Sequence, residues 1–248
     1  NSTAQKMTLI QNLSITSGTY FFAIKAYGSN YGSYNFSTVF TSSNESYKET
    51  TQGSNNSIAT ASSISLGNKI YGQIADNDDR DIYKFSLNDS GRVNINFTAP
   101  IEYVSFYIYD INGNTIWESY AAYWNNTAEK LTMIQNFDLT SGTYYLAIVR
   151  YGNHNKRVGD YNFSTSYTKA NESFSESNGG TNNTMNSANS ISINTQYIGQ
   201  IARNDEKDFY KFNISSTGKQ KVKLEASIEH LTFNIYDSNG NEIWGSYA

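Results

Sequence analysis

The residues of this chain whose types and spacing favour chemistry are acidic residues on a short turn that occurs twice. They are the aspartates Asp76, Asp78, Asp79, Asp81, Asp205 and Asp208. Several carboxylates on one tight turn can supply oxygen ligands to a Ca²⁺ ion, so the turns allow calcium. A solvated turn is the alternative, in which Asp81 and Asp208 cap backbone amides or pair with cations. Because Arg203 replaces Asp76 in the second copy and neither turn has an obvious complete ligand set, we expect no cofactor to be required and calcium to be dispensable for folding.

A second group of candidate binding residues is aromatic and follows a predicted hairpin. It consists of Trp117, Tyr123, Trp124 and Trp244. Exposed aromatic side chains stack on sugars or fill pockets of a partner. Packing in a core or between modules is the alternative role for Trp117 and Trp244, which occupy equivalent positions in the repeat. Tyr123 and Trp124 are therefore the stronger candidates for a surface contact.

Residues suited to catalysis are poorly represented in the sequence. His154 lies in an insertion relative to the other copy of its repeat, and His230 is replaced by Tyr103 in the other copy. Neither histidine belongs to a pattern that specifies a Ser-His-carboxylate arrangement. Paired carboxylates for glycoside hydrolysis need a cleft, and two small sandwich modules leave no evident one. We therefore predict that the protein is not an enzyme.

The acidic turns lie between strands of a longer repeat. Residues 71–87 and 198–214 each have an apolar entry ending in Gly-Gln-Ile, a charged turn, and a strand of alternating apolar and polar residues. The stretch 1–41 likewise returns from residue 125 onward, and its first copy predicts strands at 6–12, 19–27 and 34–41. The stretch 58–66 and its counterpart are compatible with a short strand or a single helical turn.

The repeats predict one complete module and two flanking halves. The expected order is the second half of a β-sandwich at 1–41, a linker at 42–52, a complete module at 53–168, a linker at 169–179 and the first half of a module at 180–248. Aromatic residues make up 15% of the chain, turn signals are frequent and no helix is convincing. The fold class is therefore predicted as all-β, with tandem antiparallel, jelly-roll-like sandwiches.

Composition limits the partners and the location of the protein. The net charge of −4 provides no basic field for nucleic acid or an anionic membrane, and no apolar run is long enough to predict membrane insertion. Glycosylation sequons are frequent, and those at equivalent positions of the repeat are Asn35, Asn44, Asn162 and Asn171. They indicate a glycoprotein that is extracellular or on the cell surface. An Asn-rich composition without glycans is the alternative explanation.

The order of several short motifs resembles the bacterial pre-peptidase C-terminal domain. The motifs are Gly-Gln-Ile, Asn-Asp with further acidic residues, Asp-x-Tyr-x-Phe, Phe-x-Ile-Tyr-Asp-x-Asn-Gly and Ser-Gly-Thr-Tyr-Tyr-Leu-Ala-Ile. The resemblance covers residues 53–168 and both flanking halves. It implies jelly-roll sandwiches on secreted proteins, often beside proteases, and relatives on clostridial collagenases bind collagen and, largely through a linker, calcium. The context differs here, because the modules adjoin one another and no protease domain lies within these residues.

The sequence as a whole predicts an extracellular structural repeat protein that forms a stalk, array or filament. Each terminal half alone would expose an apolar face and unpaired strand edges. We therefore expect self-association in which half-modules are completed between neighbouring units. Two alternatives stay open at this point: an adhesive binding module for collagen or polysaccharide, and an ancillary domain of a secreted hydrolase.

Overall fold

The computed structural model describes residues 8–28, 32–50, 53–122, 131–152 and 157–247. Strands β1 to β9 form a two-sheet sandwich in the middle of the chain, which confirms the predicted all-β class. These strands are β1 Ser62–Ser63, β2 Lys69–Ile74, β3 Arg80–Leu87, β4 Gly91–Ala99, β5 Tyr103–Tyr109, β6 Thr115–Ala122, β7 Leu131–Leu139, β8 Gly142–Arg150 and β9 Gly159–Lys169. Four shorter strands follow, namely β10 Asn189–Ser190, β11 Tyr210–Lys211, β12 Thr232–Tyr236 and β13 Glu242–Tyr247.

The acidic turn lies where the chain crosses from one sheet to the other. One sheet has five strands in the order β1-β3-β8-β5-β6, and the other has four strands in the order β2-β9-β4-β7. The long pairings within both sheets are antiparallel, whereas the two-residue pairing of β1 with β3 is parallel. Residues 75–79 connect β2 of the four-stranded sheet to β3 of the five-stranded sheet. The turn is therefore held at a corner of the sandwich by a strand on each side.

Alternation of apolar and polar residues places one face of each sheet in the core. In β4, Val93, Ile95 and Phe97 are at most 1% exposed, while the residues between them face outward. Phe97 from one sheet meets Phe106 from the other edge to face, with ring centroids 4.8 Å apart. Contacts of this kind close the sandwich around apolar side chains.

A short 3-10 turn lies at the entry to each copy of the repeat. The stretch 58–66, for which the sequence allowed two interpretations, contains both a 3-10 turn at Ile58–Thr60 and strand β1. The second copy has a 3-10 turn at Met185–Ser187, followed by β10. None of the helices in the described ranges has the length and apolar character needed to cross a membrane.

The terminal segments do not form sandwiches of their own. The described parts of 8–28 and 32–50 contain no strand, so the strands predicted at 19–27 and 34–41 are wrong for this structure. The strand predicted at 6–12 falls partly outside the described residues. The physical reason is that a strand needs partner strands, and the other half of each terminal sandwich is missing from the segment. As a result, Phe36 is 62% exposed, whereas Phe163 at the equivalent position of the complete module is 0% exposed.

Candidate metal centre and module junctions

Three carboxylates meet where the linker before the sandwich passes the acidic turn. Glu49 comes from the linker, Asp78 from the turn and Asp81 from strand β3, and one oxygen of each lies within 4.8 Å of the others. Asp78 and Asp81 are 1% exposed, and Glu49 is 8% exposed. We call these residues the first acidic cluster. At an effective dielectric constant of about 20, each pair of negative charges at this spacing would repel by roughly 3 kcal/mol.

The cost of burying these acids appears in their pKa values. Burial raises the pKa of Glu49, and its contacts with Asp78 and Asp81 raise it further. Burial also raises the pKa of Asp81, against a hydrogen bond from Tyr161 that lowers it. A cation among the three carboxylates would remove both the mutual repulsion and the need for protons.

An asparagine side chain lies beside the three carboxylates. Asn55 is 1% exposed, and neither its Oδ1 nor its Nδ2 has a hydrogen-bond partner. It is close to Asp81, whose pKa it lowers. Both carboxylate oxygens of Asp78 and the Oδ1 of Asp81 are likewise buried without a hydrogen bond. Buried polar atoms without partners are rare in folded proteins, so this group of oxygens indicates a ligand that satisfies them.

A glycine directly after each linker lets the backbone come close to the carboxylates. Gly53 has a φ of +79°, and a Cβ atom at this residue would collide with the carboxylate of Asp78. Gly180 has a φ of +92° and stands in the same relation to Asp205. Any other residue at either position would strain the backbone and displace an aspartate. The positive φ and the close approach to the carboxylate therefore both require glycine.

The second copy of the repeat forms the same arrangement. Glu176, Asp205 and Asp208, which we call the second acidic cluster, also place ligand oxygens within 4.8 Å of one another. Asn182 is 0% exposed and has no hydrogen-bond partner for either amide atom. Burial, with the charge of Asp205 as the next cause, raises the pKa of Asp208 to about 6. Two separate stretches of sequence therefore build the same buried group of oxygens.

Part of the acidic set predicted from the sequence is brought together in the clusters. The aspartates that lie in them are Asp78, Asp81, Asp205 and Asp208. Asp76 instead accepts a hydrogen bond of 3.1 Å from the backbone N–H of Ser14. Asp79 forms an exposed ion pair of 3.1 Å with Arg80. Asp76 and Asp79 are therefore outside the candidate metal centre.

The cluster residues in or beside the linkers were not among the sites predicted from the sequence. Glu49 and Asn55 lie in or beside the first linker, and Glu176 and Asn182 occupy the equivalent positions of the second. Both linkers were interpreted as polar connections because Ser, Thr and Asn dominate them. The available signal was that the same acid and the same amide recur at equivalent positions in or beside the two linkers.

The acidic turn also binds the preceding segment of the chain, in what we call the first junction. The side chain of Asn77 accepts a hydrogen bond of 3.2 Å from the backbone N–H of Thr16. It donates hydrogen bonds to the hydroxyl oxygens of Thr16 and Tyr20, at 2.9 and 3.1 Å. Beside it, the backbone N–H of Asp76 donates to the carbonyl oxygen of Ser14 at 2.7 Å.

The second junction repeats these contacts between the sandwich and the C-terminal segment. Asn204 accepts from the backbone N–H of Thr140 at 3.3 Å and donates to the hydroxyl oxygens of Thr140 and Tyr144, at 3.0 and 2.9 Å. The backbone N–H of Arg203 donates to the carbonyl oxygen of Asp138 at 2.7 Å. Because this contact uses only the backbone of residue 203, an arginine can replace the aspartate of the first copy without loss of the contact.

Each junction shares a residue with its acidic cluster. The hydroxyl of Ser17 donates to the backbone carbonyl of Glu49 at 2.7 Å, and the hydroxyl of Ser141 donates to that of Glu176 at 2.8 Å. The side chains of both glutamates belong to the clusters. A ligand that orders a cluster would therefore also order the junction beside it.

We expect Asn204→Ala to loosen the second junction while leaving the sandwich folded. The substitution removes the amide group that makes three hydrogen bonds to Thr140 and Tyr144. Lost hydrogen bonds of this kind cost about 1–3 kcal/mol, which corresponds to roughly 5- to 150-fold faster amide exchange in the adjoining linker. Hydrogen exchange with mass spectrometry over residues 169–180 measures the effect. Asn94→Ala is the control, because Asn94 donates to Asn136 on a sheet face and contacts no junction; equal exchange in both variants would contradict the role of Asn204.

The residues of the predicted aromatic group have different environments in the structure. Trp117 packs against the core, with its ring centroid 4.9 Å from that of Phe137 in an edge-to-face contact. Trp244 is 51% exposed and makes an edge-to-face contact of 5.9 Å with Phe233. Tyr123 and Trp124 lie outside the described residues. Trp117 therefore has the packing role that the sequence allowed as its alternative.

The predicted glycosylation sites are accessible to different degrees. Asn35, Asn44 and Asn171 are exposed, and Asn162 is partly exposed on β9. We expect glycans on at least some of these four asparagines, since a bulky sugar can leave the surface there. Asn55 and Asn182 also stand in sequons but are buried, so they serve as internal controls that should stay unmodified. Mass spectrometry of native protein checks the prediction, and unmodified peptides at all four exposed sites would contradict it.

The chemistry of both clusters fits Ca²⁺. Each cluster presents three carboxylates and the oxygen of an asparagine side chain, which are the hard oxygen ligands that calcium accepts in flexible geometry. Mg²⁺ usually keeps several waters, which suits these buried groups less well. Among the described residues, no lysine or arginine forms an ion pair with a clustered carboxylate. A bound divalent cation is therefore a physical explanation for acids buried in this way.

Comparisons with known proteins found similar solved structures, each matched over less than half of this chain. The chain is similar to the pre-peptidase C-terminal domain of a collagenase from Bacillus anthracis, with 21% identity, coverage of 43% of this chain and 94% of that chain, and a TM-score of 0.33. It is also similar to PliG of Aeromonas hydrophila, a periplasmic inhibitor of g-type lysozyme, with 11% identity, coverage of 44% and 96%, and a TM-score of 0.30. No protein-family profile and no curated protein matches the chain. The domain that the sequence motifs resemble is thus also present among the structural neighbours.

Proposed function

We propose that this chain is an extracellular structural repeat protein whose sandwich modules follow one another in a stalk, array or filament. Neighbouring units complete the terminal half-modules, and calcium at the acidic clusters stiffens the junctions between successive modules. The protein acts by holding its modules in a defined order and carries out no catalysis. The observation that carries this proposal is the junction, which occurs twice in one chain with equivalent residues.

The repeated junction supports a regular array over a flexible string of modules. Asn77 and Asn204 make the same three hydrogen bonds to the segment before them. Flexible linkers alone would leave the orientation of neighbouring modules undefined. A contact that recurs with the repeat gives each module the same position relative to the one before it, which is the property of a solenoid or stalk.

The terminal segments support completion by a neighbouring unit. Side chains equivalent to the sandwich core are exposed in the N-terminal segment, including Phe21, Phe22, Ile24 and Phe36. The C-terminal segment likewise exposes Ile214, Val222, Leu224 and Ile243. The first set belongs to the second half of a sandwich and the second set to the first half. Apolar faces of this size are rare on monomeric proteins, and these two are complementary halves of one fold.

The acidic clusters support a location outside the cell. Sites built from several carboxylates bind calcium over a wide range of affinities, and extracellular modules use the weaker part of that range. The exposed sequons are consistent with the same location. Calcium is not needed to form the sandwich core in this proposal, because that core is apolar and closed. The role of calcium is to hold the linker and the acidic turn together.

We expect the chain to form concentration-dependent oligomers or fibres when it is expressed alone. Light scattering across a dilution series measures the molar mass, and electron microscopy shows whether the products are linear. Deletion of residues 1–41 should abolish assembly, because it removes one of the two complementary halves. A control variant with Tyr120→Phe, which alters an exposed side chain of the central sandwich, should assemble as the parent chain does. A stable monomer of the parent chain at all concentrations would refute the open array.

A further inference from the structure

The complete module contains a tyrosine that fixes the orientation of one cluster carboxylate. The hydroxyl of Tyr161, on strand β9, donates a hydrogen bond to the Oδ2 of Asp81 and lies 2.6 Å from the hydroxyl of Tyr83. Tyr161 and Tyr83 are each 2% exposed. With Oδ2 occupied, the Oδ1 of Asp81 is left buried and free of hydrogen bonds beside Glu49 and Asp78. Tyr161 therefore determines which oxygen of Asp81 is presented to a ligand.

The backbone of strand β2 makes room for this tyrosine. A Cβ atom on Gly72 would collide with the hydroxyl of Tyr161 and would lie 2.7 Å from that of Tyr83. Only glycine fits at this close approach. The arrangement thus needs four residues from three strands: a carboxylate, two tyrosines and a glycine.

The C-terminal segment contains three of these four residues. Asp208, Tyr210 and Gly199 stand at the positions of Asp81, Tyr83 and Gly72. The strand that would supply the fourth residue is not part of this segment. Tyr210 donates to the Oδ2 of Asp208 over a long distance of 3.4 Å, and the Oδ1 of Asp208 is buried without a partner. The second cluster is therefore built like the first but lacks the hydroxyl that orients its carboxylate.

The N-terminal segment contains a tyrosine, Tyr34, at the position equivalent to Tyr161. Tyr34 begins the motif Tyr-Asn-Phe-Ser-Thr, which is identical to the motif that Tyr161 begins. Tyr34 is 67% exposed, whereas Tyr161 is 2% exposed. Phe36, two residues later, is also exposed where its counterpart Phe163 is buried. The segment that carries Tyr34 thus has the side chains of β9 but not its surroundings, and it forms no strand in this structure.

We infer that Tyr34 of a second copy of this chain completes the second acidic cluster by donating its hydroxyl to Asp208, as Tyr161 does to Asp81. The inference rests on the proposed function, since it requires that the half-modules of two units join. It assigns a specific positioning role to one residue of the partner copy. A calcium site at Glu176, Asp205 and Asp208 then reaches its full affinity only in the assembled protein.

The test measures Ca²⁺ binding to full-length chains by titration calorimetry at concentrations where light scattering shows oligomers. An acceptor chain carries Asp78→Asn, which disables the first cluster, together with Tyr34→Phe. A donor chain carries Asp78→Asn and Asp208→Asn, so both of its clusters are disabled while its Tyr34 is intact. Only the second cluster of the acceptor can then bind calcium in the mixture.

We expect the acceptor alone to bind Ca²⁺ roughly tenfold more weakly than the Asp78→Asn chain with Tyr34 intact, because a hydrogen bond to a charged group is lost. Addition of the donor should restore the affinity, whereas a donor that also carries Tyr34→Phe should not. Tyr120→Phe in place of Tyr34→Phe is the matched control, and it should leave the affinity of the second cluster unchanged.

Each contrary result has a distinct meaning. Oligomers whose second cluster binds Ca²⁺ equally well with and without the Tyr34 hydroxyl would overturn the inference and leave the proposed function standing. A weakened acceptor that the donor fails to restore would overturn the role of the second copy. A parent chain that stays monomeric would refute the proposed function itself, independently of any calcium measurement.

Discussion

Calcium is expected to raise the melting temperature of this protein by about 10 °C or more at pH 7.5 and by much less at pH 5. An ion that binds only the folded state, at a concentration of about 100 times its dissociation constant, adds about 2.7 kcal/mol of stability, and roughly 10 mM Ca²⁺ reaches this ratio at the tighter end of the extracellular affinity range. For a module of this size, each kcal/mol shifts the melting temperature by roughly 3–5 °C. Thermal unfolding followed by circular dichroism, with millimolar Ca²⁺ or with a chelator, measures the difference.

The dependence on pH follows from the direction of the pKa shifts. Burial raises the pKa of both Glu49 and Asp81 in the first cluster. In the second cluster it raises the pKa of Asp208 to about 6 and that of Glu176 to about 9. Without the ion, the folded state therefore keeps protons that the unfolded state releases between about pH 4 and the raised pKa values. Stability without calcium is expected to fall as the pH rises through that window. Calcium binds the deprotonated carboxylates, so its stabilising effect grows over the same window.

Two substitutions distinguish stabilisation by calcium at the clusters from general binding of cations to an acidic surface. Asp78→Asn should remove most of the response of the central sandwich, since Asp78 belongs to the first cluster. Asp79→Asn is the matched control, because its carboxylate is exposed and pairs with Arg80 outside the cluster. Equal melting temperatures with calcium and with chelator at pH 7.5 would show that the clusters hold no calcium.

The second large effect is expected from a pair of equivalent phenylalanines. Phe163→Ala should destabilise the sandwich by about 3–5 kcal/mol, because it leaves a cavity at a residue that is 0% exposed and packs edge to face on Tyr83, 5.1 Å away. Phe36→Ala removes the same side chain from the same motif, but Phe36 is 62% exposed. Its effect on the unfolding of the sandwich should stay within about 0.5 kcal/mol.

Denaturant unfolding of dilute protein measures both variants under conditions where assembly is absent. At higher concentration, Phe36→Ala should weaken the oligomers, since the proposed function buries this residue against a neighbouring unit. Equal destabilisation of the sandwich by the two substitutions would mean that Phe36 already packs in the core, contrary to its exposure in this structure.

Two stretches with the same alternation of apolar and polar residues show what a sequence pattern can predict about a strand. Alternating apolar residues in the stretch 71–87 predicted a half-buried strand, and the structure contains it as Arg80–Leu87. The pattern of residues 34–41 is equally good, yet no strand is present there. Alternation states which face of a strand can be buried, but a strand forms only where partner strands supply hydrogen bonds and a second sheet supplies the apolar surface.

The acidic residues show a similar limit. Asp78 and Asp81 were found from their spacing within one turn, because neighbouring residues on a turn are close in space. Glu49 lies 29 residues before Asp78 in the numbering of the chain and approaches it only because the linker folds back along the sandwich. Asp79, the immediate neighbour of Asp78, points to solvent and pairs with Arg80. Proximity in sequence therefore identified some residues that belong to the acidic cluster and others that do not.

What the sequence by itself determined is the repeat, the all-β class and the acidic turn between two strands, since each of these depends on local residue order and periodicity. The tertiary structure alone decided which carboxylates meet, which asparagines are buried beside them, and that Asn77 and Asn204 bind the preceding module. The reason is physical: a buried group of oxygens is assembled from a linker, a turn and a strand that come together only when the two sheets close on their core.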